Sequence, residues 1–258
     1  MPEFTSHVPG TLCWVELATK DQNAAKAFYG ALFGWHPNDN DMGPGGTYTI
    51  FQLNGRDAAA GYTMRAEEAA AMPPHWNLYI SVESADATAE RAKELGGSVI
   101  AEPFDVMTHG RMAVIADAAG AVFCVWQPIN NIGVGVKDEA GGLCWADLSA
   151  PDQNQAMGFY HKLFGWTFMP GDDNYQHIQN GETFIGGIPP AQFRDPKIPP
   201  HWLVYFQVDD CNASTDKAKE LGANVVLGPF AMGDVGHITV LMDPQGAAFA
   251  IFQQSQTE

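Results

Sequence analysis

CWVELATKDQNAAKAFYGALFGW (13–35) returns as CWADLSAPDQNQAMGFYHKLFGW (144–166). The echo continues outward. PPHW at 73–76 recurs at 199–202, the LGG beginning at Leu95 recurs as the LGA beginning at Leu221, and DAAGAVFCVWQ from Asp117 recurs as DPQGAAFAIFQ from Asp243. The offset is 131 residues in the first block and 126 afterwards, so the shortening falls in the loops between. Copies this long exceed the roughly 20–50 residues of a solenoid repeat. They predict two homologous domains in tandem, 1–129 and 143–258, joined by the stretch NNIGVGVKDEAGG (130–142), which reads as a surface connection.

Within the first copy, LCWVELA (12–18) alternates as a strand. Thr19 or Asp21 can cap a helix whose apolar positions Ala24, Ala27, Phe28, Leu32 and Phe33 recur at helical spacing, and Gly34 stops it. Trp35 opens a short strand, a polar Gly-rich loop occupies 39–46, and strands follow at 47–54 and 58–64. The pattern then restarts with a strand at 75–82, a helix from Asp86 to Leu95 and three more strands. Each copy is therefore two β-α-β-β-β modules, an α+β fold with a mixed sheet and flanking helices.

The totals set limits. A formal charge of −17 disfavours nucleic acid and anionic membrane as partners, because like charges repel. Apolar content of 46% and a mean hydropathy of −0.14 suit a soluble chain. No apolar run reaches the roughly 18 residues of a membrane span. MPEFTSHVPG has no basic and apolar leader pattern, so a cytoplasmic location is the expectation. Cys13 and Cys144 are the same position in the two copies, and with Cys124 and Cys211 they form no CxxC. Reduced thiols are expected.

The module arrangement, with FYGALFGW at the first helix end and D-x-x-G (Asp117–Gly120, Asp243–Gly246) before the last strand, resembles the vicinal oxygen chelate superfamily. This is the glyoxalase, bleomycin-resistance and extradiol-dioxygenase group, and the tandem form is similar to two-domain glyoxalase-like proteins labelled hydroxylases. The resemblance implies a cupped sheet per copy around a small-molecule site, often with a divalent metal. The family's ligand positions would fall on Trp14, Asn77 and Cys124 in the first copy and on Trp145, Leu203 and Ala250 in the second. Zn, Fe or Mn wants imidazole, thiolate or carboxylate. The expectation is accordingly no metal and no cofactor; a non-standard set of Glu16 or Asp147 with His75 or His201 is the alternative. PPHW also reads as a plain strand entry.

Period-two alternation puts Trp14 and Glu16 on the inward face, matched by Trp145 and Asp147. Asn77, Tyr79, Cys124 and Trp126 join the first set, and Tyr205 and Phe252 the second. Arg111 and His237 occupy equivalent positions from which a counter-charge could reach inward. Aromatic faces with sparse polar groups suit a planar organic molecule; the same rings could also simply fill the cup. Glu16 and Asp147 are the acid–base residues, because a carboxylate at the same inward position of both copies needs a partner or a ligand. The reading is a binder of a small aromatic or polyketide-like compound, with or without metal-free acid–base conversion. A metal-dependent lyase, isomerase or dioxygenase is the alternative, and a non-catalytic scaffold the third. The first copy, with the more polar inward set, is the expected working site. Sites completed by a paired domain would make the protein a homo-oligomer.

Overall fold

The computed structural model describes residues 4–255. The first copy contains β1 (Leu12–Thr19), α1 (Gln22–Phe33), β2 (His36–Asp41), β3 (Thr47–Leu53), β4 (Arg56–Thr63), α2 (Ala66–Ala71), β5 (His75–Ser81), α3 (Ala85–Glu94), β6 (Ser98–Val106), β7 (Gly110–Ala116) and β8 (Val122–Pro128). The second contains β9 (Leu143–Ser149), α4 (Gln153–Phe164), β10 (Thr167–Pro170), β11 (Gln176–Asn180), β12 (Thr183–Ile188), β13 (His201–Gln207), α5 (Cys211–Glu220), β14 (Asn224–Met232), β15 (Gly236–Met242) and β16 (Ala248–Gln254). Each copy forms one eight-stranded mixed sheet, in the order β2-β3-β4-β1-β5-β8-β7-β6 and its counterpart β10-β11-β12-β9-β13-β16-β15-β14. The α+β architecture of paired modules is the one the sequence pattern implies.

Local chemistry explains the repeated helices. Asp21 Oδ1 accepts from the backbone N–H groups of Asn23 and Ala24, both at 3.0 Å, and Asp152 does the same for Asn154 and Gln155. These bonds satisfy donors that a helix start leaves orphaned. Gly34 and Gly165 end the helices at φ 73° and 76°, a left-handed cap that costs a residue without Cβ nothing. Two details depart from the expected pattern. β2 runs on to Asp41, into the stretch read as a loop, because Asn38–Asp41 pairs with Thr47–Ile50. The short helix α2 belongs to the first copy; in the second, a 3-10 turn at Ala191–Phe193 precedes β13.

Packing does not follow the copies. The chain divides into two packing units: one takes the chain up to Trp14, Leu78–Gly133 and Trp145–Leu203, the other Val15–Asn77, Val134–Cys144 and the chain from Val204 on. Each unit thus combines a module of one copy with a module of the other. In the second unit Phe28, Tyr29 and Phe33 of α1 pack against Phe206 and Phe249 of the other copy. The Tyr29 hydroxyl donates to Asp243 Oδ2 at 2.9 Å and accepts from Trp76 Nε1 at 3.2 Å. The first unit repeats this with Tyr160, Asp117 at 3.1 Å and Trp202 at 3.1 Å. The D-x-x-G carboxylate of one copy therefore anchors the FY tyrosine of the other. Its second oxygen closes its own turn: Asp117 Oδ1 accepts from Ala119 and Ala121 N–H, and Asp243 Oδ1 from Gln245 and Ala247 N–H. Buried polar groups satisfied at every position cost little and fix one arrangement.

The 130–142 connection differs from a surface linker. Val134 and Val136 are fully buried. Gly133 lies so close to β1 that a Cβ there would stand 2.0 Å from the Cys13 carbonyl oxygen. Trp126 Nε1 donates to Asn131 O, and Trp35 Nε1 to Gly141 O, each at 2.8 Å. Buried valines and tightly placed glycines let this stretch enter the core, a role its low apolar count concealed.

Candidate functional site

Glu16, in the middle of β1, pairs in register with Ala60 of β4, which in turn faces Ile50 of β3. Tyr48, two residues before Ile50 and on the same face, donates its hydroxyl to Glu16 Oε2 at 2.7 Å. Asn77 Nδ2 makes a long contact to Glu16 Oε1 at 3.5 Å. Glu16, Tyr48 and Asn77 are all half-buried.

The second copy rebuilds this couple with different parts. Asp147 faces Gly187, and Gly187 faces His177, across β9, β12 and β11. Tyr175 donates to Asp147 Oδ1 at 2.5 Å, while Trp145 Nε1 reaches Asp147 Oδ1 at 3.0 Å and Tyr175 Oη at 2.9 Å. The bond between Trp145 and Asp147, two residues apart, agrees with the alternation that placed them on one face. The Tyr175 ring crosses the space above Gly187, where a Cβ would stand 1.8 Å from the phenol oxygen. Burial, then the charge of Asp147 and the hydrogen bond to it, push the Tyr175 phenol well above its ordinary range. It stays a protonated donor at every physiological pH.

Tyr48 and Tyr175 were absent from the residues picked out by sequence. The signal was present: each follows the Gly- and Asp-rich loop, Tyr48 at the start of β3 and Tyr175 immediately before β11, as TYT and NYQ.

The other expected residues fall in two groups. Trp14, Tyr79, Cys124 and Trp126 belong to the first packing unit and are buried, with Trp14 7%, Tyr79 4% and Trp126 8% exposed. Tyr79 faces Cys124 in register, and its ring stands edge-on to Trp126 at 6.5 Å. Tyr205 and Phe252 belong to the second unit, where Tyr205 faces Ala250 and Phe252 faces Gln207. Cys13 and Cys144 point the other way and donate to the carbonyls of Tyr79 and Tyr205 at 3.6 and 3.4 Å, matching the shared packing role read from their positions.

Arg111 does not reach the face of Trp126. It sits opposite Gln127, while Met112 sits opposite Trp126, so alternation turns Arg111 to the helix side of the sheet. There it holds both oxygens of Asp86 at 2.6 and 2.9 Å and Asp105 at 2.9 Å, and its hydrogen bonds, then its charge, keep Asp86 below the usual carboxylate range. His237 fails for the same reason: it pairs with Gln253, whereas Ile238 pairs with Phe252.

The donor set does not fit the family's metal. Indole, carboxamide, leucine and alanine side chains stand at five of the six expected positions, and among the described residues no three His, Cys, Asp or Glu side chains converge. The histidines of the alternative set are tied to strand entry: His75 Nδ1 contacts Pro73 O at 2.9 Å and His201 Nδ1 contacts Pro199 O at 2.8 Å.

Comparison with known proteins agrees with the fold. The model of the Glyoxalase/Bleomycin resistance protein/Dioxygenase superfamily matches residues 11–125 and 142–251, and the chain belongs to that family. It is 38% identical over 260 residues to the "Putative glyoxylase CFP32" of Mycobacterium tuberculosis, covering 98% of each chain. It is 34% identical over 266 residues to the anthracycline biosynthesis protein DauV of Streptomyces sp. strain C5, covering 97% of this chain and 95% of that one. Among solved structures, the Mn(II)-bound glyoxalase of Novosphingobium aromaticivorans superposes with a TM-score of 0.67 at 18% identity, over 96% of this chain and 83% of that one. The 2,3-dioxygenase LapB of Pseudomonas sp. KL28 gives 0.66 at 12%, over 97% and 94%. At such identities the likeness speaks for the fold alone. Among the described residues no helix is long and apolar enough to cross a membrane.

Proposed function

We propose that the protein binds a small planar aromatic compound of polyketide type, with Glu16 and Asp147 holding a proton of its hydroxyl or enol group. The observation that carries this is the duplicated couple: a tyrosine hydroxyl donating to a carboxylate at the same sheet position of both copies, at 2.7 and 2.5 Å. A carboxylate has acceptor capacity beyond the one phenol bond, so it can also take a hydrogen bond from a ligand hydroxyl. Trp145, in the same packing unit as Asp147 and half-buried, supplies aromatic surface of the kind such a ligand needs. The relationship to an anthracycline biosynthesis protein supports a polycyclic aromatic class. The family's usual metal would bind vicinal ligand oxygens, but the residues here do not suit it, and no step is assigned to it.

The test is a titration of tryptophan fluorescence with a dihydroxyanthraquinone, on protein purified without chelators and assayed for metal. Saturable quenching is expected, weakened about tenfold in Glu16→Gln or Asp147→Asn, as loss of a hydrogen bond to a charged group implies. Absence of saturable quenching would sink the proposal. So would a tightly held metal, about one equivalent per copy, whose removal abolishes binding.

A further inference from the structure

Trp14, Tyr79 and Trp126 of the first copy are buried, whereas Trp145, Tyr175 and His177 of the second are half-buried and Phe184 is 45% exposed. His177 stands at the middle of this group. Its ring centroid lies 6.2 Å from Trp145, 4.9 Å from Tyr175 and 5.5 Å from Phe184, with interplanar angles of 75°, 66° and 68°. Among the described residues the His177 imidazole makes these ring contacts and no side-chain hydrogen bond. Neither ring nitrogen is a buried atom left without a partner, so both are open to water or to a ligand.

The sister copy shows that the fold does not need this imidazole. Ile50 occupies the equivalent place, facing Ala60 as His177 faces Gly187. Two glycines make the room in the second copy: a Cβ at Gly171 would stand 2.6 Å from His177 Nε2, and one at Gly187 would strike the Tyr175 phenol. Packing alone is served by isoleucine and alanine. A histidine framed by three accessible rings, in line with an Asp–Tyr couple, serves recognition instead.

We propose that Trp145, His177 and Phe184 form a binding subsite for the hydroxylated edge of a planar aromatic ring, with His177 as the hydrogen-bonding group. This rests on the reading above that the ligand is such a compound, and it adds a recognition subsite beside Asp147 in the second copy. The half-exposed Trp145 and Phe184 present apolar area to the ring, and the imidazole accepts from a phenolic hydroxyl or donates to a quinone carbonyl.

The experiment compares binding of a dihydroxyanthraquinone and its dimethyl ether to the wild-type chain, His177→Ile and His177→Gln, with thermal melting as a check on folding. The isoleucine variant copies the sister position. It should bind the free phenol about tenfold more weakly and lose the preference over the ether, while His177→Gln keeps part of that preference. If wild-type protein binds the phenol and His177→Ile retains the full preference, this inference falls and the proposed function stands. If wild-type protein binds neither compound, both fall. Should His177→Ile not fold, His177→Gln decides: a preference unchanged from wild type, with binding intact, overturns the inference.

Discussion

The two carboxylate–tyrosine couples solve one problem with complementary parts. In the first copy the acid is the longer one, Glu16, and the strand beside it carries Ala60. In the second the acid is one methylene shorter, the strand beside it carries Gly187, and Tyr175 leans across the gap to reach Asp147. Reach lost from the carboxylate is recovered by removing a Cβ. The lesson is that a sheet position keeps a contact through paired changes. The second solution also leaves its tryptophan accessible and adds an imidazole, so the copy whose composition looked plainer has the more open chemistry.

The sharpest way to break this comparison is to exchange the small residues. Gly187→Ala should drive Tyr175 off Asp147 and cost about 1–3 kcal/mol, the usual range for overpacking. The reciprocal Ala60→Gly creates no clash and should cost only about 0.5–1 kcal/mol. Denaturant melts of both variants decide it, and equal effects would mean that the phenol does not depend on the glycine. Removing the hydroxyls comes next. Tyr175→Phe should cost about 1.5–3 kcal/mol, because it takes a donor from a buried carboxylate that is 9% exposed. Tyr48→Phe should cost about 0.5–1.5 kcal/mol, because Glu16 is half-buried and water can replace the phenol. Chemical denaturation that ranks these two the other way would contradict the burial difference.

The smallest effect within the working pH range is alkaline. Tyr29, Tyr160 and Tyr175 are all raised, chiefly by burial and then by a neighbouring aspartate. Below about pH 10 both folded and unfolded chains hold these protons, so their contribution is fully present. Above it the unfolded chain ionises first, and stability falls as pH climbs toward the folded values. Tyrosinate absorbance should then show Tyr29, Tyr160 and Tyr175 among the tyrosines that appear only on unfolding, and one fewer of these in Tyr175→Phe. Early titration of all seven tyrosines in the folded protein would refute the buried couples.

Much of this was legible in residues 13–35 and 144–166. Capping aspartate, helical spacing, stop glycine and strand alternation are local signals, each read within one or two turns of chain. They delivered the modules and the family, and alternation put Asp147 beside Trp145, whose indole contacts it. Equivalence of position in the two copies suggested that Arg111 and His237 could reach inward, but the strand register turns both away from Trp126 and Phe252.

The sequence by itself determined the duplication and the α+β modules, because these depend on residue identity and short-range periodicity. Only the tertiary structure decided that Tyr48 and Tyr175 hold Glu16 and Asp147, that each D-x-x-G aspartate anchors the other copy's tyrosine, and that the connecting stretch is core. Those contacts join residues as far apart as Tyr29 and Asp243, and no local pattern encodes which of several equivalent partners a side chain will meet. Burial and the fit of one Cβ against one phenol made the choice.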